Sequence, residues 1–203
     1  GLIQQLAATA YRLSIEWARV EPEQGRFDDA AWAGYRTRLE LLCAKKIRPV
    51  LTLHHFTHPK WFHVKSPWYE PSCLVAWKRF ADKCAELIDG LDVAVVTFNE
   101  PMVFLLGGYL TGEIPPGISD ARKAWPVLCN LARAHAIARH ALRNRCKSVP
   151  VGIAQHLMDF VPARRWHPID RALRRLAESN FNHALLEALT TGDSSVMAEQ
   201  VRV

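Results

Sequence analysis

The chain has 203 residues, of which 49% are hydrophobic and 23% charged, the balance of a globular protein with enough apolar side chain for a real core. Its net charge of +6 at pH 7 reads as a solvated-surface excess, not as the concentrated basic footprint of a nucleic-acid binder. The longest apolar-looking window, 102–111, is too short to cross a bilayer, which takes about 20 residues, so no membrane partner is expected.

The opening stretch, GLIQQLAATAYR, has no basic start and no long apolar run, so it is not read as a signal peptide. AYRLSIEW, 10–17, reads as the first strand. Asp28 or Asp29 can then cap a helix over 29–46, whose Trp32, Tyr35, Leu39 and Leu42 fall on one stripe. RPVLTLHH, 48–55, reads as the second strand. A helix over 72–89 starts at Ser72 after a proline and stops before Gly90, with a stripe of Trp77, Ala81, Cys84 and Ile88. DVAVVTFNE, 92–100, is the third strand. A helix over 121–145 accommodates Pro126 because it lies near the start. VPVGIAQH, 149–156, is the fourth strand, and a last helix is expected over 170–189. Arg164, Arg165, Arg171, Arg174 and Arg175 should line its start and outer face.

Near-continuous apolar runs suit strands buried on both faces of a parallel sheet. Four strand–helix units in series imply right-handed crossovers. No glycine-rich phosphate loop follows any strand, which argues against a nucleotide-binding doubly wound sheet. Polar residues gather instead at the carboxyl ends of the strands: Glu16, then His54 and His55, then Asn99 and Glu100, then Gln155 and His156. A (β/α)₈ barrel builds its active site from those ends. The five cysteines are odd in number and contain no C-x-x-C pair, which points to a reducing, cytoplasmic compartment without a disulfide framework.

Glu100 stands out, as a carboxyl at a strand terminus between Phe98 and Pro101. Partly apolar surroundings favour the protonated form that a general acid needs. Pro101 keeps the chain extended and supplies no N–H to continue a ladder. Asn99 adds a donor and an acceptor suited to a sugar hydroxyl. The competing reading of Glu100 is a helix cap or a solvated loop carboxylate. Neighbours on a strand point to opposite faces, so His54 and His55 cannot both face a barrel axis. With His58 they form a cluster, but no carboxylate is spaced to complete a zinc site, and no metal or other cofactor is expected. Arg12, if buried, needs a carboxylate partner, for which a catalytic carboxylate is one candidate; if it lies at an edge, its guanidinium meets solvent. Trp17, Trp61 and Phe56 lie near strand ends, where an aromatic face could carry a sugar or simply pack.

Several stretches together resemble glycoside hydrolase family 1, the β-glucosidase and β-galactosidase family. TFNEP resembles its acid/base motif. YRLSIEWARVEPEQGRFD resembles its F-R-x-S-I-x-W-x-R-x-x-P segment, and RPVLTLHHFTHPKWF its third-strand segment. GYLTGEIPPGISD resembles the loop after the acid/base, and VGIAQH the fifth strand. The matches are in order and cover essentially the whole chain. The resemblance implies part of a TIM barrel, about strands two to five with their helices, so that 1–203 is a partial catalytic domain without the first and last three strands. It also implies a retaining β-glycosidase acting on a β-linked glycoside. By the same resemblance Glu100 is the acid/base, Asn99 binds the sugar 2-hydroxyl, His55 is the sugar-binding histidine with His54 at a variable position, and Arg12 contacts the nucleophile. Phe56 and His156 depart from the usual Trp and Asn.

Retention takes two carboxyls about 5–5.5 Å apart, and the family's T-E-N-G nucleophile motif does not occur in this sequence. Glu16 is the other strand-end carboxylate, and the resemblance gives it no catalytic role. The 203-residue chain alone is therefore expected to be nearly inactive, with exposed barrel edges through which it could associate. The alternative is an inactive, truncated glycosidase acting as a carbohydrate-binding or assembly module.

Overall fold

The computed structural model describes residues 2–191. They divide after Ala154 into two units. The first opens with helix α1 (Leu2–Gln5), strand β1 (Ala10–Ser14) and the single turn α2 (Trp17–Val20). The expected strand 10–17 therefore stops at Ser14. The Glu16 carboxylate accepts from the Ala18 N–H at 3.4 Å and caps α2, which carries Trp17 out of the sheet and into the core.

Helix α3 (Asp29–Ala44) is capped by Asp28, whose Oδ1 accepts from the Ala31 N–H at 2.8 Å, while Asp29 falls in its first turn. Strand β2 (Arg48–His54), helix α4 (Lys60–Lys65) and helix α5 (Cys73–Ile88) follow. The whole predicted stripe of α5, from Trp77 to Ile88, is buried. Strand β3 (Ala94–Asn99) leads into α6 (Pro101–Leu105), which widens into a π-helical turn over Leu106–Thr111. Helix α7 (Ala121–Arg145) has the expected bounds, and strand β4 (Val151–Ala154) closes the unit, shorter than 149–156. The apolar window 102–111 thus forms α6 and its π-turn. Among the described residues no helix is long and apolar enough to cross a membrane.

All strand pairs are parallel and the order is β1-β2-β3-β4, without reversal. A doubly wound sheet reverses its order at a switch point; this one winds in a single direction, as a barrel does. The register pairs Arg12 with Val50, Ser14 with Thr52, and His54 with Phe98. It slips between β3 and β4 at Val96 to Asn99, an irregularity of the kind that re-aims side chains. β1 and β4 are the edge strands, and β1 exposes Ala10, Tyr11 and Arg12.

The core is unusually aromatic. Trp17 stacks on Phe80 at 4.5 Å and Trp77 on Phe98 at 4.8 Å. Burying a side chain of phenylalanine's size contributes about 1.5–3 kcal/mol, and paired rings add about 0.5–1.5 kcal/mol. Trp17 is 1% exposed, so its reading as a sugar platform is overturned in favour of packing. The Trp77 indole N–H donates to the Ala134 carbonyl at 2.8 Å and ties α5 to α7. All five cysteines are free thiols.

The second unit holds helix α8 (Pro168–Glu178), a π-helical turn over Ser179–His183, and α9 (Ala184–Thr191), so the expected helix 170–189 is a helix with a widened middle. Asn182 locks it to the preceding loop, accepting from the Met158 N–H at 3.0 Å and donating to the Met158 carbonyl at 2.8 Å. The arginine cluster is partly neutralised: Arg164 pairs with Asp170 at 2.9 Å, and Arg174 with Glu178. Gln155 and His156, expected at the end of the fourth strand, fall in this unit beyond β4.

Candidate active site

Four residues carried the functional expectation, and all lie at or next to the sheet of the first unit. Glu100 is half-buried and follows directly on β3 with φ 42° and ψ 59°, left-handed geometry that a non-glycine residue rarely adopts. Its N–H still reaches the Ala154 carbonyl at 2.7 Å, and its carbonyl accepts from the Phe104 N–H at 2.9 Å. The ladder therefore holds Glu100 by one bond to β4, and Pro101 then starts α6. Strained backbone held by its surroundings clusters at functional sites. Phe56, one residue past His55, has φ 69°, so two such positions fall where strands leave the sheet.

Asn99 is buried, and its Oδ1 accepts from Arg12 Nη2 at 2.7 Å. Arg12 Nε donates to Thr52 Oγ1 at 2.9 Å. Arg12 thus bridges β1, β2 and β3. Of its two readings, the edge position holds for exposure, but the guanidinium is engaged across the sheet. Its partners among the described residues are a hydroxyl and an amide oxygen, not the carboxylate expected of a buried arginine. Sequence reasoning missed Thr52, a fully buried polar residue in the strand segment VLTLHH. It also missed Ser14, whose Oγ lies 2.9 Å from His55 Nδ1. The signal for Ser14 was its spacing of two from Arg12 on one strand.

His54 and His55 part company as the strand period requires. His55 is exposed. His54 is 1% exposed, its ring within 5.5 Å of those of Trp68, Phe98 and Phe104. Burial holds His54 far below the ordinary imidazole range, with His58 and His55 adding to the effect. His58 is pushed down to about 4, by burial first and then by His63. Both rings are therefore neutral near pH 7, His54 within the core and His58 half-buried beside it. Among the described residues no group of three or more His, Cys, Asp or Glu is placed to hold a metal ion.

This burial has a consequence for stability. A depressed histidine binds its proton more weakly in the folded protein than in the unfolded chain, so stability is complete above about pH 6.5 and is lost as pH falls towards about 4. His58 alone accounts for a loss of about 3 kcal/mol across that window. Urea midpoints measured through the window should fall less in His58→Phe than in the wild type. Equal slopes would mean that acid acts elsewhere.

Glu16 sits on the same rim but is occupied. Its two carboxylate oxygens accept from Thr57 Oγ1 at 3.2 and 3.0 Å, besides capping α2. Trp61, the second platform candidate, is half-buried, with its indole N–H on the Glu21 carbonyl at 2.8 Å. Phe56, the third, is half-buried beside His55 at a centroid distance of 5.4 Å.

The family model described as Glycosyl hydrolase family 1 matches residues 1–202. Beta-glucosidase A of Thermotoga maritima is 31% identical over 196 residues, which span 95% of this chain and 43% of the relative. A β-glycosidase of Pyrococcus horikoshii superposes with a TM-score of 0.86 at 40% identity, over 92% of this chain and 43% of the other. A β-glucosidase of Thermotoga maritima, solved in complex with glucoimidazole, superposes with a TM-score of 0.90 at 29% identity, over 99% of this chain and 46% of the other. The chain spans less than half the length of these relatives.

Proposed function

The chain belongs to glycosyl hydrolase family 1, and on that premise we propose that the full-length protein is a retaining β-glycosidase, β-glucosidase-like, whose acid/base half lies in these residues. The parallel sheet and its helices are part of the (β/α)₈ barrel of the structural neighbours; we take the four strands as the second to fifth of eight. Glu100 gives its proton to the glycosidic oxygen as the bond to the leaving group breaks, and later takes one from the incoming water. A second carboxylate, outside these residues, attacks the anomeric carbon. Asn99 and His55 hydrogen-bond the sugar, and Arg12 keeps donors free for that second carboxylate.

One observation carries the reading. Arg12 reaches over β2 to Asn99, beside a Glu100 held in left-handed backbone. Three of the four expected site residues thus form one connected group, running from β1 across β2 to the carboxyl end of β3.

A proton NMR time course on methyl β-glucoside tests it. The full-length protein should release the β-anomer first, and the 203-residue chain alone should turn over almost none. Release of the α-anomer first, or no turnover of β-glucosides and β-galactosides by the full-length protein, would overturn the proposal. The second outcome would favour a non-catalytic sugar-binding or assembly module.

A further inference from the structure

β1 carries two side chains, Arg12 and Ser14, two residues apart and so on one face of the strand. Each touches a different polar residue of the proposed sugar site. Arg12 occupies the Asn99 Oδ1 at 2.7 Å. That contact fixes which end of the amide faces Arg12, so the NH₂ end is turned away from the guanidinium as a donor, while the oxygen keeps its second lone pair. Ser14 does the equivalent for the histidine. Its Oγ lies 2.9 Å from His55 Nδ1, and the hydrogen bond made by one imidazole nitrogen sets which nitrogen carries the proton.

We propose that Ser14 is a positioning residue for His55: its hydroxyl donates to Nδ1, holds the ring proton on Nε2, and so presents His55 to the ligand as a hydrogen-bond donor. β1 then makes donors of both polar groups, the Asn99 amide and the His55 Nε2–H. The hydroxyl oxygens of a sugar are the matching acceptors. Without Ser14 the exposed imidazole is free to rotate and to exchange tautomers, and a ligand must order it on binding. The role of the ligand as a sugar rests on the glycosidase reading; the tautomer does not.

Ring nitrogen shifts from long-range proton–nitrogen spectra, taken at about pH 8.5, above the ordinary imidazole range, read the tautomer directly. His55 of the wild type should show one tautomer, protonated at Nε2. Ser14→Ala should show a mixture, and Ser14→Thr, which keeps the hydroxyl, should restore the single form. In the full-length protein Ser14→Ala should raise KM for an aryl β-glucoside about tenfold and leave kcat nearly unchanged, since the contact acts alike in the ground and transition states. A His55 already protonated at Nδ1, or a tautomer indifferent to Ser14→Ala, would overturn the assignment. A tautomer that responds as expected in a protein that binds no glucoimidazole upholds Ser14 and sinks the glycosidase reading instead.

Discussion

In the full-length protein, Glu100→Gln is expected to lower kcat/KM for an alkyl β-glucoside by about 10³-fold, a loss of about 4 kcal/mol of transition-state stabilisation. Glutamine keeps the size and hydrogen-bonding reach of the side chain but has no proton to give. An alkoxide is a poor leaving group, so the missing proton should be felt in bond cleavage. A dinitrophenolate leaves without help, so the same variant should cleave a dinitrophenyl β-glucoside at close to the wild-type rate and then stall, because water no longer meets a base at the glycosyl-enzyme. A burst of dinitrophenol followed by a slow phase is the result to look for. Glu113→Gln, on the exposed loop after the π-turn, is the control and should behave as wild type. Equal losses with both leaving groups, and no burst, would show that Glu100 holds the site together without moving the proton.

The order of the strands was legible because each apolar run is bounded by polar ends, and helix 121–145 because its apolar period is long. The division between His54 and His55 followed from strand alternation alone. What the residues could not disclose was register. Ser14 meets His55, and Arg12 meets Thr52 and Asn99, only because β1 pairs Arg12 with Val50 and Ser14 with Thr52. A slip of one residue would turn both side chains to the other face, and nothing within AYRLSIEW fixes that choice. The end of β1 was misjudged for a related reason. Ile15 to Trp17 have the apolar look of a strand, but Glu16 caps a turn that sends Trp17 into the aromatic core, and capping wins where the core behind it is waiting to be filled. The resemblance of TFNEP to the family's motif was readable in the residues, whereas the left-handed backbone at Glu100 was hidden, since proline at 101 was read as keeping the chain extended.

Arg79→Ala should be a severe substitution away from the site, costing about 3–5 kcal/mol of stability. The reason is Glu21, a carboxylate with 0% exposure. Its Oε2 accepts from the Trp17 indole N–H at 2.8 Å, and its Oε1 from the Gly25 N–H at 2.8 Å and from Arg79 Nε at 2.9 Å. The Arg79 guanidinium also lies over the Trp61 ring at 5.6 Å, and that indole is the one bound to the Glu21 carbonyl. Two neutral N–H donors do not compensate a buried charge, so deleting the guanidinium strands the carboxylate among aromatic rings. Against a total stability of about 5–15 kcal/mol, a loss of this size should lower Tm by about 10 °C. The exposed pair Arg26–Glu23, at a similar 3.0 Å but with side chains 71% and 68% exposed, sets the comparison: Arg26→Ala should change stability by less than about 1 kcal/mol. Removing both charges, as Glu21→Gln with Arg79→Met, should cost less than Arg79→Ala alone, because no buried charge is left without a partner. Urea denaturation of the three variants decides the point. If Arg79→Ala proves as mild as Arg26→Ala, Glu21 is held by its N–H donors and the guanidinium is dispensable.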